Sequence, residues 1–282
     1  NLFLHVLGRR PDGYHQLQTV FQFLDYGDEL SFELRADGLI TRPEGAVEVP
    51  AATDLVVRAA LALQAATGCS QGADIRVLKR TPMGAGLGGG SSDAATTLVA
   101  LNHLWRLGLS LDRLAAIGLK LGADVPVFVQ GFAAWAEGVG ETLTPVTLPE
   151  PWYAVIAPDA LVSTAAIFSA PELRRDHAAI TFDDYQHGAG TNDCAPVTCA
   201  RYPEVAAALG VDPTVGLRDD EVAERVVAAI ADQAARQVGL DADAELQVFL
   251  EGVELVGDAH LAQDVVEVEG LAVEFELAGF DF

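Results

Sequence analysis

The chain has 282 residues, half of them apolar, and its 41 acidic against 17 basic side chains give a formal charge of −24. That length can bury one large core or two smaller ones in close contact, and two lobes are expected. The charge argues against a nucleic-acid-binding surface, and no apolar run approaches the roughly 18 residues that span a bilayer, so neither nucleic acid nor membrane is expected as a partner.

In chain order, the first quarter reads as strands and turns. Leu2 to Leu7 is a strand, Arg10-Pro11-Asp12-Gly13 is a turn, and Glu29 to Leu34 alternates polar and apolar residues. A helix runs from about Asp54, its N-cap, to Thr67, and Gly68 stops it. Ala73 to Leu78 alternates as a strand and leads into Pro82-Met83-Gly84-Ala85-Gly86-Leu87-Gly88-Gly89-Gly90-Ser91-Ser92-Asp93, followed by the helical string Ala94 to Leu101. Ser110 opens another helix that Gly122 closes, and Val125 to Val129 and Trp152 to Ala157 read as strands. A short helix begins at Ser163-Thr164, and Pro171 to His187 is a polar loop that suits a lobe boundary.

From residue 210 the composition shifts, with eighteen Asp and Glu against three Arg and no Lys. Asp219 to Val238 has helical spacing, with Val222, Val226, Val227, Ile230 and Ala234 on one face, and Val265–Glu269 and Leu271–Leu277 alternate as strands. Short strands and helices in this succession indicate a layered α+β fold. Cys69, Cys194 and Cys199 form no Cys-x-x-Cys pair and leave an odd thiol, which suits a reducing cytoplasm. Neither they nor the scattered histidines His5, His103, His177, His187 and His260 show metal-ligand spacing, so no side-chain metal site is assigned.

The glycine run carries the chemistry. Glycines let successive N–H groups turn toward one point, and the unpaired amides of a first helical turn add partial positive charge, so the run reads as a phosphate cradle. A flexible linker is the plainer reading, but linkers are rarely pinned between a strand and a helix. Gly84, Gly86 and Gly89 fit a dinucleotide fingerprint, yet residues 102–109 hold no acidic side chain for a ribose. The run also lacks the lysine of a P-loop, with Ser91 after its last glycine.

The loop resembles the second motif of the GHMP kinase superfamily. Its Gly-Gly-Gly-Ser-Ser-Asp version is similar to the branch that acts on 4-diphosphocytidyl-2-C-methyl-D-erythritol (CDP-methylerythritol) in isoprenoid precursor biosynthesis. Gly8-Arg9-Arg10-Pro11-Asp12-Gly13-Tyr14-His15, Gln22–Asp28, Leu121-Gly122-Ala123-Asp124-Val125-Pro126-Val127-Phe128 and Asn192-Asp193-Cys194 agree with that branch in order, over roughly residues 1 to 209. The resemblance implies a cytoplasmic, two-lobed GHMP kinase fold with layered antiparallel and mixed sheets, monomeric or homodimeric. Residues 1–150 would form the lobe with the phosphate loop, and residues 151–282 the second lobe. It also implies ATP with Mg²⁺, and CDP-methylerythritol as the small-molecule acceptor.

By the same resemblance, Asp124 is the catalytic aspartate that accepts the acceptor's hydroxyl proton. From the residues alone it stands after a helix stop at a loop-to-strand corner, where capping a turn is the plainer role. Pro82, Met83, Gly84, Ala85, Gly86, Leu87, Gly88, Gly89, Gly90, Ser91 and Ser92 would bind the nucleotide, with Lys79 near its adenine or ribose. An exposed strand-end lysine and a pair of helix-capping serines are the plainer readings there. Tyr14, His15, Phe168 and Asn1 would bind the substrate, where turn or core aromatics are the alternative for Tyr14 and Phe168. Two family features are missing from the sequence. The lysine of Pro-Ala-Lys-Leu-Asn falls two positions upstream of Asn1, and no Gly-[Ser/Thr]-Gly motif follows Asn192, since Gly188 and Gly190 precede it. A different GHMP kinase, acting on mevalonate or homoserine, and a nucleotide-binding remnant without turnover therefore stand as alternatives.

Overall fold

The computed structural model describes residues 1–149, 152–155, 157–158, 160–208, 247–251, 265–268 and 272–276. A tight turn, closed by Gly13 N–H donating to Arg10 O at 3.0 Å, joins β1 (Leu4–Arg9) to β2 (His15–Phe21). Next come β3 (Glu29–Arg35), β4 (Ile40–Glu44) and α1 (Leu55–Thr67). The Asp54 carboxylate accepts from Val56 N–H at 3.0 Å and Gly68 stands left-handed, so α1 starts and stops where its caps dictate.

β5 (Gly72–Leu78) lies between β3 and β4, antiparallel to the first and parallel to the second. Ala73, Ile75 and Val77 on one face of β5 are buried, while Asp74 is held by Arg35 and Thr41. The buried face packs against α2 (Gly89–Leu104), α1, α3 (Leu111–Gly118) and α4 (Val125–Gln130) in a single core that includes Leu63, Leu98, Leu101 and Leu114. Then β6 (Ala134–Gly138) and β7 (Thr142–Pro145) complete a second sheet in the order β1-β2-β6-β7. Residues 7–147 thus form one compact unit.

Two expectations fail here for packing reasons. Val125–Val129, read as a strand from its alternating valines, is the helix α4. Pro126 sits in its first turn, where a missing N–H costs nothing, and Gly131 ends it left-handed at φ 71°. Val125 and Val129, one turn apart, join the core around α2, whereas Val127 joins Phe21, Ala134 and Ala136. Burial on two sides suits a helix and overrides the β-propensity of valine. The helix before it stops at Gly118 rather than Gly122. A Cβ at Gly118 would stand 2.5 Å from Val125 Cγ1, and Gly122 N–H turns back onto Gly118 O at 3.1 Å.

The other unit combines residues 1–6 with 148–282. Its described parts are β8 (Trp152–Val155), α5 (Thr164–Phe168) capped by Ser163, α6 (Phe182–Asp184), α7 (Ala195–Arg201), α8 (Pro203–Ala208) and the strands β9 (Gln247–Glu251), β10 (Val265–Val268) and β11 (Ala272–Glu276). β10 pairs antiparallel with β8, and β11 with β9. The acidic strands expected near 265–269 and 271–277 are therefore present, while the helix expected over 219–238 lies outside the described residues. The polar loop expected from Pro171 to His187 turns helical at its end. Thr181 and Asp184 form a reciprocal capping box, and the chain kinks beyond Tyr185, where His187 and Gly188 leave helical geometry. No helix among the described residues is long and apolar enough to cross a membrane.

Candidate active site

The phosphate loop alternates in handedness. Gly84, Gly86 and Gly88 stand at φ 74°, 76° and 73°, separated by Ala85 and Leu87 at negative φ. This alternation turns successive N–H groups into one concavity. It runs directly into α2, whose N-cap is Gly88 and whose first internal bond is Ser92 N–H to Gly88 O at 2.9 Å. The earlier amides of the turn stay free of the helix ladder, and with the macrodipole they favour an anion. Ser91 and Ser92 lie inside this turn with no capping bond, so the capping reading of them is overturned. Both are half-buried, Met83 is exposed, and Pro82 is half-buried.

Gly89 and Gly90 differ in what surrounds them. A Cβ at Gly89 would stand 2.3 Å from Thr81 Oγ1, whereas one at Gly90 would meet only Leu55 Cδ1 at 3.5 Å. Gly89→Ala is expected to destabilise the protein by about 1–3 kcal/mol through overpacking. Gly90→Ala should be neutral or stabilising by up to about 1 kcal/mol, because a helical glycine gives way to the best helix former. Urea-unfolding midpoints of the two variants check this, and equal shifts would contradict it.

Asp124 is the N-cap residue of α4, and its side chain makes no capping bond. The corner expected to lead into a strand leads into a helix, and the carboxylate is not consumed by the turn. The residue as a whole is exposed, yet the protein around the carboxyl desolvates it and raises its pKa above the ordinary aspartate value. A Cβ at Gly122 would lie 3.7 Å from Ser91 Oγ. The turn that carries Asp124 therefore packs beside the first turn of α2.

Lys79 is neither exposed nor free. Its ammonium donates to Asp28 Oδ2 and, at 3.0 Å, to Asp93 Oδ2. Asp28 accepts in addition from Arg80 N–H at 2.6 Å, Thr81 N–H at 2.9 Å and the Thr81 hydroxyl at 2.7 Å. Burial alone would raise the Asp28 pKa, but these donors outweigh it and hold the carboxyl far below the usual range. Burial opposes the charge of Lys79 as well, and its two carboxylate partners overcome it and raise its pKa. Asp93 is raised to about 6 by burial, which the Lys79 bond only partly offsets. Sequence reasoning missed Asp28 and Asp93, although the first closes the Gln22–Asp28 block and the second ends Gly-Gly-Gly-Ser-Ser-Asp.

Tyr14 is 63% exposed on the turn ahead of β2, its N–H donating to Asp12 Oδ1 at 3.1 Å, so it is no core aromatic. His15 follows as the first residue of β2, half-buried. Asn1 and Phe168 belong to the other unit, the first exposed and the second half-buried on α5. In that unit the structure gathers two histidines to which sequence spacing assigned nothing. The His5 and His177 rings stack at 3.5 Å, and His177 Nδ1 meets Asp193 Oδ1 at 2.8 Å. Asp193 Oδ2 accepts Val6 N–H at 2.8 Å, and Thr191 N–H donates to His5 Nε2 at 3.2 Å. Gly190, out of order for the missing motif, has a packing role: a Cβ there would stand 3.0 Å from Phe3 Cβ and from the Tyr185 ring.

Comparison with known proteins gives the family. Residues 54–132, from the cap of α1 to just past α4, match the family of the GHMP kinases N-terminal domain. The chain is 63% identical over 209 residues to the 4-diphosphocytidyl-2-C-methyl-D-erythritol kinase of Pseudomonas aeruginosa, covering 74% of each chain. It is 60% identical to that of Nitrosococcus oceani, over 74% of this chain and 75% of the other. A crystal structure of 4-(cytidine 5'-diphospho)-2C-methyl-D-erythritol kinase superposes with a TM-score of 0.62 at 35% identity, covering 74% of this chain and 78% of that one. With its amide cradle and its aspartate side by side, the chain belongs to the 4-diphosphocytidyl-2-C-methyl-D-erythritol kinase family of the GHMP kinases.

Proposed function

We propose that the chain transfers the γ-phosphoryl group of ATP to the 2-hydroxyl of 4-diphosphocytidyl-2-C-methyl-D-erythritol, a cytoplasmic step in the non-mevalonate route to isoprenoid precursors. The observation that carries this reading is the cradle of left-handed glycines opening α2 beside the turn that bears Asp124. Phosphoryl transfer asks a protein for positioning, charge stabilisation and a group that handles the nucleophile's proton. The amides from Gly84 to Ser91 supply the first two at the triphosphate. Asp124 takes the proton as the hydroxyl oxygen bonds to the γ-phosphorus and the bond to the β-phosphate bridge breaks, releasing ADP. A raised pKa makes its carboxylate a better proton acceptor than an ordinary aspartate.

Magnesium suits the same place. Ser91 and Ser92 present hydroxyl oxygens at the head of α2, hard donors of the kind the ion takes alongside phosphate oxygens, and bound there it neutralises phosphate charge. Tyr14, exposed beside His15, offers an aromatic face and an imidazole for a cytosine ring. Asn1 and Phe168 are assigned to the substrate on family resemblance.

An ADP-release assay tests the reading. Turnover is expected with CDP-methylerythritol and not with mevalonate or homoserine. Preference for either of those, or ATP binding without ADP release on all three, would overturn it.

A further inference from the structure

We propose that Asp28, Lys79 and Asp93 form a clasp that ties the two ends of the phosphate loop together, with Asp28 as a residue that positions ATP through the loop backbone without touching it. The inference rests on the kinase reading above and deepens it.

Three left-handed glycines make the loop conformationally costly to order, so its shape depends on how its ends are held. Asp28 holds the leading end. One oxygen receives the amides of Arg80 and Thr81, and the other receives the Thr81 hydroxyl. Tyr26 adds a bond from its hydroxyl to Arg80 O at 2.8 Å. The Lys79 ammonium then links Asp28 to Asp93, which lies one turn into α2 at the trailing end. The ends also touch directly, because a Cβ at Gly89 would lie 3.3 Å from Asp28 Oδ2 as well as against Thr81. The side chains of Asp28 and Asp93 are only 2% and 8% exposed, and that of Lys79 is 20% exposed. A lysine whose purpose was to meet a phosphate would not be given two buried carboxylates that cancel its charge. Its arrangement suits holding.

The test combines steady-state kinetics of the full chain with binding of a fluorescent ADP analogue at neutral pH. Asp28→Asn is expected to raise the KM for ATP about tenfold, with kcat and the KM for the acceptor within about threefold, since charge-assisted bonds are lost from the loop's anchor alone. Asp93→Asn, which weakens the Lys79 link at the α2 end, should weaken binding of the analogue about fivefold, with the KM for the acceptor within about threefold. An unchanged KM for ATP in Asp28→Asn, equal losses in all three parameters, or unchanged analogue binding in Asp93→Asn would each overturn the clasp. If Asp28→Asn does not fold, the Asp93→Asn binding curve still decides. Failure of the unaltered chain to phosphorylate the acceptor counts against the kinase reading instead, because analogue binding reports on the clasp without turnover.

Discussion

Asp124→Asn is expected to lower kcat by about 10²- to 10⁴-fold, with the KM for ATP held within about threefold. The asparagine keeps the size of the side chain and removes only the ability to take a proton. Because Asp124 makes no capping bond, α4 loses nothing at its start, and the defect should appear in turnover rather than in unfolding. The sign of the pH dependence follows from the same group. Desolvation raises its pKa, so activity in the unaltered enzyme should fall as pH drops through that raised value and the carboxylate is protonated. In Asp124→Asn the residual activity should lack this limb. A variant within about tenfold of the parent kcat would remove Asp124 from the chemistry.

Acid should destabilise the protein through His5 by about 2–3 kcal/mol between pH 7 and 4.5. His5 is fully buried, and its pKa is lowered from 6.5 to about 4 by desolvation, then by His177 and Arg174, against an opposing pull from Asp193. Between those values the unfolded chain binds a proton at His5 that the native protein refuses. The stability it contributes is thus complete above pH 6.5 and is lost as pH falls toward 4. Other groups shape the same curve. Asp28, with its lowered pKa, also loses stability in acid, while Asp93 contributes stability at low pH that disappears as pH rises through about 6. His5→Phe keeps a ring against Phe3 and His177 and leaves the titrations remote from it unchanged. The difference in urea-unfolding free energy between parent and His5→Phe should therefore shrink in acid by that amount. A difference that stays constant with pH would show that His5 does not titrate in this way.

The features legible in the residues are those whose cause is local. Asp54 and Gly68 bound α1 because a cap carboxylate and a left-handed glycine act within one turn of themselves. The glycine run reads as an anion cradle because its handedness needs nothing beyond the absence of side chains. The alternation of β5 survives because one of its faces meets the helices. By contrast, Val125–Val129 has the period of a strand and becomes a helix, since two separate cores claim its two sides.

The sequence by itself therefore determined the phosphate loop, its strand and helix, the candidate base and the family to which they point. Tertiary structure alone decided that Lys79 is bound by Asp28, 51 positions away, and that His177 stacks on His5, far from it in sequence. It also decided that the capping reading fails for Asp124 and for the two serines. The reason is physical. Caps and backbone handedness are set by neighbours in sequence, whereas the partner of a buried charge is whichever group the packing of distant segments brings within hydrogen-bonding distance, and no spacing along the chain encodes it.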